Sequence, residues 1–517
     1  MKMILHRKEA HEAESKNAGH IKTLRWTTRN VSYQRCLWIL ALVRTYEPPS
    51  HHHDQLFIVN KDIAPDGFQR STVLAGRTPQ DASFPGPLIT GRKGDRFTIN
   101  VTDLLTDPTM DRSTSIHWHG LFQKTTNYAD GVAFVSQCPI ATNHSFLYDF
   151  GVPDQAGTFW YHSHLSVQYG DGLRGPIVIY DPEDPHQDLY DVDDESTIIT
   201  IADWFHLTSL QLLAALVVPN ADATLINGNG RYVGGPDTPL TVINVEHGKR
   251  YRFRLIDMSF DAFHGFSIDN HNLTIIEVDG INTLPHTVNF IEIYPAQRYS
   301  FVLNANRPIS NYRIRALSNT GVGAHNFTNG VNSAILRYVG APEEEPQTSQ
   351  PLSSDVMIFR EGDLHPLENP GAPGNPYPGG ADLVLNFTLG FDADMVLFSM
   401  NGFTTKRRDA PAGPHPFHLH GHAFDVVRTS DSSEYNFKNP VRRDTTLVAM
   451  KNQTTIRFVT DNAGPWFLHC HIDLHLSLGL AVVLAEDTRD TKKDDMIPAD
   501  WKALCPIYNS LTPSQLP

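Results

Sequence analysis

Short strand-like runs, some of them alternating between apolar and polar residues and separated by turn residues, extend through most of this 517-residue chain. The clearest runs are residues 96–101, 176–180, 197–201, 250–256, 273–278 and 299–303. Alternation with a period of two predicts β-strands that bury one face, and 35 Gly and 35 Pro residues supply turns between them. Regular helical stretches do not separate these runs, so the sequence predicts an all-β fold of sandwiches or barrels.

The chain is longer than one hydrophobic core normally accommodates, so more than one domain is expected. Two acidic, proline-containing stretches, residues 181–195 and 341–354, are typical of solvated linkers. They divide the chain into predicted domains of residues 54–184, 185–341 and 342–517. Residues 1–53 are basic, contain a short apolar run and end in a triple-histidine tract. We expect them to be a targeting segment, a disordered extension or residues ahead of the true start, and therefore to lie outside the fold.

Charge and hydropathy exclude two classes of partner. A formal net charge of −15 and a sequence pI of about 5.9 give no support to nucleic-acid binding. No stretch reaches the roughly 20 apolar residues of a membrane span. Glycosylation sequons favour passage through a secretory pathway, and they lie at Asn30, Asn100, Asn143, Asn272, Asn326, Asn386 and Asn452. We expect a secreted, extracellular glycoprotein, although its first residues contain no recognisable signal peptide.

Histidine is concentrated in four short clusters. They are His117-Trp118-His119, His162-Ser163-His164, His415-Pro416-Phe417-His418-Leu419-His420, and His469-Cys470-His471 with His475 close behind. Residues two apart on a strand project from one face, so a His-x-His pair can present two imidazoles to one metal or to adjacent metals. One such pair is weak evidence, because ordinary surface or core histidines often produce it. Four clusters in one chain predict more than one metal ion.

Cys470 is the most informative of these residues. If its segment is extended, the thiolate points away from His469 and His471, and one strand serves two different metal sites. A cysteine with two histidine ligands and a weak or absent axial ligand is typical of a blue-copper electron-transfer site. His415 and His475 are the candidates to complete it. Zinc is the alternative metal, but zinc sites usually close with four ligands; a buried free thiol or half of a disulfide is the alternative interpretation of the cysteine.

The four clusters, in this order, resemble the copper-binding signatures of multicopper oxidases. Further segments resemble fungal laccases in particular, namely PGPLIT at 85–90, STSIHWHG at 113–120, PDQAGTFWYHSH at 153–164, ATLING at 223–228 and GPWFLHCHID at 464–473. The resemblance covers the chain from about residue 54 to its end. It implies three cupredoxin-like Greek-key β-barrel domains that hold four copper ions: one type 1, one type 2 and a type 3 pair.

Matched motif by motif, the resemblance implies a role for each ligand. The type 1 copper would take His415, Cys470 and His475, with the non-coordinating Leu480 at the axial position. The remaining ligands would be His117 and His418 for type 2, and His119, His162, His164, His420, His469 and His471 for type 3.

The resemblance also implies roles beside the metals. Asp261 would lie next to the reducing substrate and accept its phenolic proton, while Asp130 and Asp444 would help to move protons near the three-copper cluster. Cys138 and Cys505 would form a disulfide. His422 ends the third histidine cluster but has no ligand role in the family pattern, so we expect it to pack.

The chain departs from the laccase pattern at two places. Gly170 and Phe260 stand where laccases of this type carry a second disulfide. Only 12 residues separate Gly402 from His415, whereas such enzymes have roughly forty more there, and a barrel that loses strands exposes unpaired edges. We therefore expect a shortened third domain.

The implied activity is that of a laccase, a benzenediol:oxygen oxidoreductase. Small phenolic or aromatic molecules would give single electrons to the type 1 copper, and dioxygen would be reduced to water at the three-copper cluster. The alternatives are a multicopper oxidase that uses ferrous iron or ascorbate as its donor, and a catalytically silent copper-binding paralogue. We expect a monomer. Lignin degradation, pigment formation and detoxification are all compatible physiological roles.

Overall fold

The structure is a computed structural model that describes residues 1–7, 49–215, 220–321, 323–324, 326–347, 356–357, 359–392, 394–401, 408–409 and 414–516. Strand β1 (Lys2–Arg7) comes first. The next ten strands are β2 (His51–Ile63), β3 (Arg70–Gly76), β4 (Ile89–Arg92), β5 (Arg96–Asp103), β6 (Ser113–Thr114), β7 (Ile116–His119), β8 (Ile140–Ala141), β9 (Ser145–Gly151), β10 (Gly157–Ser163) and β11 (Arg174–Tyr180).

A middle block of strands follows: β12 (Ile198–Trp204), β13 (Ala223–Ile226), β14 (Val242–Val245), β15 (Arg250–Asp257), β16 (His264–Ile268), β17 (Leu273–Val278), β18 (Ile281–Val288), β19 (Ile291–Ile293), β20 (Arg298–Asn304), β21 (Asn311–Ser318) and β22 (Ser333–Tyr338). The last block contains β23 (Leu383–Asn386), β24 (Leu389–Asp392), β25 (Leu397–Met400), β26 (Arg408–Asp409), β27 (His415–Leu419), β28 (Phe424–Arg428), β29 (Arg442–Arg443), β30 (Thr445–Val448), β31 (Thr455–Thr460), β32 (Gly464–Cys470) and β33 (Ala481–Glu486).

Helices are few and short. The α-helices are α1 (Ser209–Ala215), α2 (Asp473–Ser477), α3 (Thr488–Asp494) and α4 (Ala499–Asn509). Single 3₁₀ turns lie at Asn127–Ala129, Gln168–Asp171, Gln187–Leu189, Glu195–Thr197, Thr328–Gly330 and Glu361–Asp363. The prediction of an all-β fold is therefore confirmed. Within the described ranges, no helix is long and apolar enough to cross a lipid bilayer.

The first two blocks each pair two large sheets around an apolar core. In the first block, the sheet β3-β2-β5-β9 lies against β4-β11-β10-β7, and Phe97 of one sheet shares a buried cluster with Trp118 of the other. The middle block pairs β13-β12-β15-β20-β17-β18 with β14-β22-β21-β16-β19. Neighbours such as β2 and β5 are parallel and not consecutive, which is the crossed-over strand order of Greek-key barrels.

The last block contains the sheets β30-β27-β32-β33, β23-β1-β31-β28-β29 and β25-β24-β26. Its core is continuous with that of the middle block, because Phe417 and Phe458 belong to the same buried cluster as Phe253 and Phe301. Burial of this shared apolar surface holds the two blocks together.

Strand β1 occupies a position within the last block, far from its place in the sequence. It pairs parallel with β31, from Lys2↔Thr455 to Arg7↔Thr460, and antiparallel with β23. Met3 is fully buried in the shared core. The shortened third domain was expected to expose unpaired strand edges, and here the N-terminal strand covers the edges of both β23 and β31.

The expectation that residues 1–53 lie outside the fold is therefore wrong at both ends of that segment. Residues 2–7 form β1, and residues 51–53 begin β2, where they pair with Arg96, Phe97 and Thr98 of β5. Composition misled the prediction, because backbone pairing with a neighbouring strand, rather than apolar patterning, orders the triple-histidine tract. Residues 8–48 lie outside the described residues.

Cys138 and Cys505 form the expected disulfide, with their Cα atoms 5.0 Å apart. It ties helix α4 to the first block, where Leu504 is buried and the Trp501 indole donates a hydrogen bond to the Ser136 carbonyl. At the position of the second disulfide of laccases, the Phe260 ring packs against Gly170. A Cβ atom at residue 170 would lie 2.8 Å from that ring, so an aromatic contact replaces the cross-link between the first two blocks.

Candidate metal centre

Three side chains converge at one end of the last block. The Nδ1 atoms of His415 and His475 lie 3.2 Å apart, and the Cys470 sulfur lies 3.6 Å from the first and 3.7 Å from the second. A metal about 2.0 Å from each nitrogen and about 2.3 Å from the sulfur, in trigonal array, would give separations of roughly 3.5 Å between the nitrogens and roughly 3.7 Å from nitrogen to sulfur. The triangle therefore has the size of a Cys–His₂ metal site.

Secondary structure explains why these three residues meet. Strand β27 begins at His415 and β32 ends at Cys470, and the two strands are antiparallel neighbours with Phe417 opposite Cys470. Helix α2 follows at once and turns His475 back towards the sulfur. Cys470 is fully buried and free of any disulfide, while His475 is partly exposed. The alternative interpretation of Cys470 as half of a disulfide is thus excluded.

Leu480, the residue expected at the axial position, is joined to two members of this triangle through its backbone. Its backbone amide donates to the His475 carbonyl, and its carbonyl accepts from the Cys470 amide. The side chain is fully buried in the apolar core. The Phe398 ring packs beside the triangle, with its centroid 4.5 Å from that of His475. Sequence reasoning missed Phe398, since one more phenylalanine in a strand is an ordinary core residue.

The other eight predicted histidines gather on the opposite side of β32. They come from β7 and β10 of the first block and from β27 and β32 of the last, and neighbouring ring centroids lie 3.8–6.0 Å apart. His469 and His471 belong to this group and not to the Cys470 triangle. The predicted division of one strand between two sites is therefore observed. The eight are His117, His119, His162, His164, His418, His420, His469 and His471.

Hydrogen bonds fix the orientation of several of these rings. The Nδ1 atoms of His117, His162, His418 and His469 donate to the carbonyl oxygens of Asp130, Ser163, Asp444 and Cys470, at 2.7–3.0 Å. A carbonyl can only accept, so each ring carries its proton on Nδ1 and directs the Nε2 lone pair inward.

The nitrogen atoms that face into the cluster are arranged as metal ligands would be. The Nε2 atoms of His117, His162, His164, His418 and His471 are buried and have no hydrogen-bond partner among the described residues. The Nε2 atoms of His420 and His469 lie 3.1 Å apart. Two lone pairs at that distance repel each other unless a cation lies between them, and unpaired buried polar atoms are costly. The cluster is thus suited to imidazole-preferring metal ions such as copper.

Burial favours the neutral form of six of these imidazoles. It lowers the pKa of His119, His162 and His164 well below the usual range, and neighbouring histidines such as His418 and His117 lower it further. The same causes lower the pKa of His420, His469 and His471. Neutral imidazole is the form that binds a metal, so no proton has to be displaced from these rings.

Asp130 joins histidines of two domains. Its carbonyl accepts from His117 at 2.7 Å, and its carboxylate accepts from Nδ1 of His420 at 2.9 Å. The first histidine lies on β7 and the second directly after β27, so one buried residue, through its backbone and its side chain, orients histidines on both sides of the cluster.

Asp444 is held by a buried arginine from the middle block. The Arg298 guanidinium donates two hydrogen bonds to the carboxylate, at 2.8 and 2.7 Å. Burial alone would raise the pKa of Asp444, but Arg298, together with His119 and His418, holds it well below its usual range. The residue is therefore an anion beside two cluster histidines. Sequence reasoning missed Arg298, because a charge within a buried strand reveals its partner only in three dimensions.

Asp261 lies in the loop that follows β15, and this loop reaches the Cys470 triangle. The Phe260 carbonyl accepts from the backbone amide of Asp473 at 3.2 Å, in the first turn of the helix that carries His475. Asp261 is partly exposed. Burial, followed by the charge of Asp203, raises its pKa from 3.8 to about 7.

His422 packs against Phe458 and Trp466, as predicted, and its ring also contacts a carboxylate. Its Nε2 lies 3.1 Å from a Glu486 oxygen, and its Nδ1 donates to the His420 carbonyl at 3.1 Å. It belongs to none of the convergent groups of potential metal ligands within the described residues.

Family models and known sequences give a consistent identification. Models described as multicopper oxidase match residues 61–184, 195–341 and 391–490. Laccase-4 of Trametes villosa is 53% identical over 502 residues, which are 89% of this chain and 94% of that protein. Laccase-2 of Pleurotus ostreatus is 51% identical over 504 residues, covering 88% and 92% of the two chains.

Solved structures agree with this identification. The laccase from Botrytis aclada superposes with a TM-score of 0.76 at 28% identity, covering 91% of this chain and 94% of that one. Fet3p, a multicopper oxidase that functions in iron import, gives a TM-score of 0.73 at 25% identity, with 89% and 95% coverage. The predicted cupredoxin-like fold is confirmed by these neighbours. The chain belongs to the multicopper oxidase family, as a member of its laccase type.

Proposed function

We propose that this chain oxidises small phenolic or aromatic molecules one electron at a time beside His475 and couples four such oxidations to the reduction of dioxygen to water. The observation that carries this proposal is the division of residues 469–471 between two sites: the Cys470 sulfur meets two imidazole nitrogens on one side, and its neighbours join six further imidazoles on the other. Bound copper supplies the redox chemistry at both sites.

The ligand assignment follows this division. We propose His415, Cys470 and His475 as the type 1 ligands, with Leu480 in the axial position. Since Leu480 lacks a thioether to stabilise copper(II), we expect a reduction potential in the middle to upper part of the family range. For the three-copper cluster we propose His117 and His418 as type 2 ligands, and His119, His162, His164, His420, His469 and His471 as type 3 ligands. Ligand nitrogens of His164, His420 and His469 lie within 4.8 Å of one another, which supports a metal among them.

The protein's own groups bind, orient and move protons. The partly exposed edge of His475 is the natural contact for a substrate ring, and one peptide unit on either side links Cys470 to His469 and His471. Asp130 and Asp444 orient cluster histidines, and as buried carboxylates they are placed to pass protons towards dioxygen. Asp261 would accept the phenolic proton as the electron leaves.

Removing the Asp261 carboxylate should change the pH dependence of phenol oxidation. Because the pKa of Asp261 is raised to about 7, the proton-accepting form gains population as pH rises through about 7, and a copper(II) charge nearby would shift this range downwards. We expect kcat/KM for a phenol to rise through this range in the native enzyme. Asp261→Asn should lose this rise and about tenfold or more of kcat/KM. Steady-state kinetics across pH measure both, and an unaltered profile would remove Asp261 from the mechanism.

Oxygen uptake with a panel of donors tests the function itself. We expect rapid uptake with 2,6-dimethoxyphenol, at four phenols oxidised per dioxygen, and slower uptake with ferrous iron or ascorbate. Iron as the preferred donor would replace the laccase assignment by a metallo-oxidase. A protein that binds copper and consumes no oxygen with any donor would be the silent paralogue.

Secretion and a monomeric state complete the proposal. All six sequon asparagines within the described ranges are at least partly exposed, namely Asn100, Asn143, Asn272, Asn326, Asn386 and Asn452. Exposure at every one of them is what glycan attachment requires. The Cys138–Cys505 disulfide is likewise suited to an oxidising, extracellular compartment.

A further inference from the structure

Asp203 makes an unusual set of hydrogen bonds for a strand residue. Its carboxylate accepts three consecutive backbone amides, from Phe260 at 2.7 Å, Asp261 at 2.7 Å and Ala262 at 3.1 Å. The side chain is fully buried. Three amides on one carboxylate define the path of the loop, since charge-assisted hydrogen bonds of this kind are short and directional.

The carboxylate is itself held in place from the other side. Nη1 of Arg174 lies 3.7 Å from it, and the guanidinium donates to the backbone carbonyls of Asp203 and Met258. The Asp203 amide contacts the Ser259 hydroxyl at 3.3 Å. A buried arginine from β11 and a buried carboxylate from β12 therefore clamp residues 258–262 from two directions.

The clamped loop is also hydrogen-bonded to the helix that carries His475, because the Asp473 amide donates to the Phe260 carbonyl. Residue 261 is thus fixed on one side by Asp203 and on the other by the first turn of α2. We propose that Asp203 is a positioning residue for the reducing substrate, which holds the Asp261 backbone at a set place relative to His475. This inference rests on the proposed function, in which both of these residues meet the phenol.

Electrostatics agrees with this geometry. Burial raises the pKa of Asp261, and the charge of Asp203 raises it further. The same side chain would therefore set both the position of the proton acceptor and its affinity for a proton. Residues that do not touch the substrate commonly act in this way, by holding in place the group that does.

Asp203→Asn is the direct test, because it keeps the size of the side chain and removes the charge that gathers the three amides. We expect KM for 2,6-dimethoxyphenol to rise about tenfold, since small misplacements of a contacting group are costly. For hexacyanoferrate(II), which gives an electron without a proton, KM and kcat should stay within about twofold of native values. The blue absorption should be unchanged. Amides 260–262 should exchange faster with deuterium.

Asp103→Asn is the matched control. Asp103 is a fully buried strand aspartate that accepts a backbone amide, from Leu105 at 2.8 Å, but it lies in the first block, away from this loop. The Asp103→Asn substitution should leave KM unchanged for both 2,6-dimethoxyphenol and hexacyanoferrate(II). Equal losses for both donors in Asp203→Asn would reduce Asp203 to a structural role and overturn the proposal, as would unchanged kinetics together with unchanged exchange.

Two further variants keep the test decisive. If Asp203→Asn does not fold, Ser259→Ala removes only the hydroxyl beside the Asp203 amide and should raise KM for the phenol in the same direction, by about twofold; no rise would contradict the proposal. If Asp261→Asn leaves phenol oxidation unaltered, the proposed substrate role of Asp261 fails. Faster exchange of amides 260–262 in Asp203→Asn would then still establish the clamp by itself.

Discussion

Cys470→Ser yields a protein without blue absorption. Its rate of phenol oxidation falls far more than the roughly 10–100-fold that is typical when a group hydrogen-bonded to a metal ligand is removed. The hydroxyl that replaces the sulfur is a poor copper ligand. The backbone path from residue 470 to His469 and His471 would then no longer begin at a metal-bound atom, so electrons from the substrate would lose their shortest covalent route to the cluster. The eight imidazoles on the other face keep their geometry. A type 2 signal in electron spin resonance should therefore persist while the type 1 signal disappears.

Ser163→Ala is the control for this variant. Ser163 also stands between two cluster histidines, His162 and His164, and its hydroxyl donates to Gln168 rather than facing a metal. We expect this variant to stay blue and to keep its activity within about tenfold of native. A blue, active Cys470→Ser protein would show that the sulfur is not a ligand.

Met3→Asp strongly destabilises the third domain. Met3 is fully buried between β23 and β31, opposite Leu385 and Ile456. An unpaired carboxylate in such a core costs about 3 kcal/mol or more, which corresponds to a fall of roughly 6 °C or more in the Tm of a domain of this size. We expect copper loss at Cys470 to accompany this transition, because β31 precedes β32 in the same block. Thermal unfolding followed by the blue absorption measures both.

Leu383→Asp is the matched control for Met3→Asp. Leu383 lies on the neighbouring strand β23, but its side chain is 48% exposed, so the new charge remains in water. We expect a change within about 0.5 kcal/mol. Equal melting temperatures for native protein and Met3→Asp would mean that β1 does not complete this sheet in solution.

Local patterns predicted much of the fold. All six strand-like runs lie within strands, except for Thr197 at the start of one of them, and residues 273–278 match β17 end to end. Strand β1 could not be predicted, because its partners begin some 380 residues away and local periodicity carries no information on which strands pair. Helix α4 was also missed, since its 11 residues contain Pro506, a residue that argues against a helix interior.

The metal ligands could be predicted because their chemistry is visible in residue type and spacing. Their supporting residues could not. Arg298, Asp203 and Glu486 are charges in or beside apolar strands, and each is explained by a partner at least 57 residues away in sequence. Sequence shows that a buried charge needs a partner, but it does not identify which residue that partner is.

Copper content, measured together with optical and spin-resonance spectra on the purified protein, tests the central claim most directly. We infer that strand β32 supplies its thiolate to one metal site and its imidazoles to a second. We therefore expect four copper ions per chain: one blue type 1 ion, one type 2 ion and a coupled type 3 pair. A colourless protein with fewer than four ions, or a blue centre that survives the loss of the Cys470 sulfur, would contradict it.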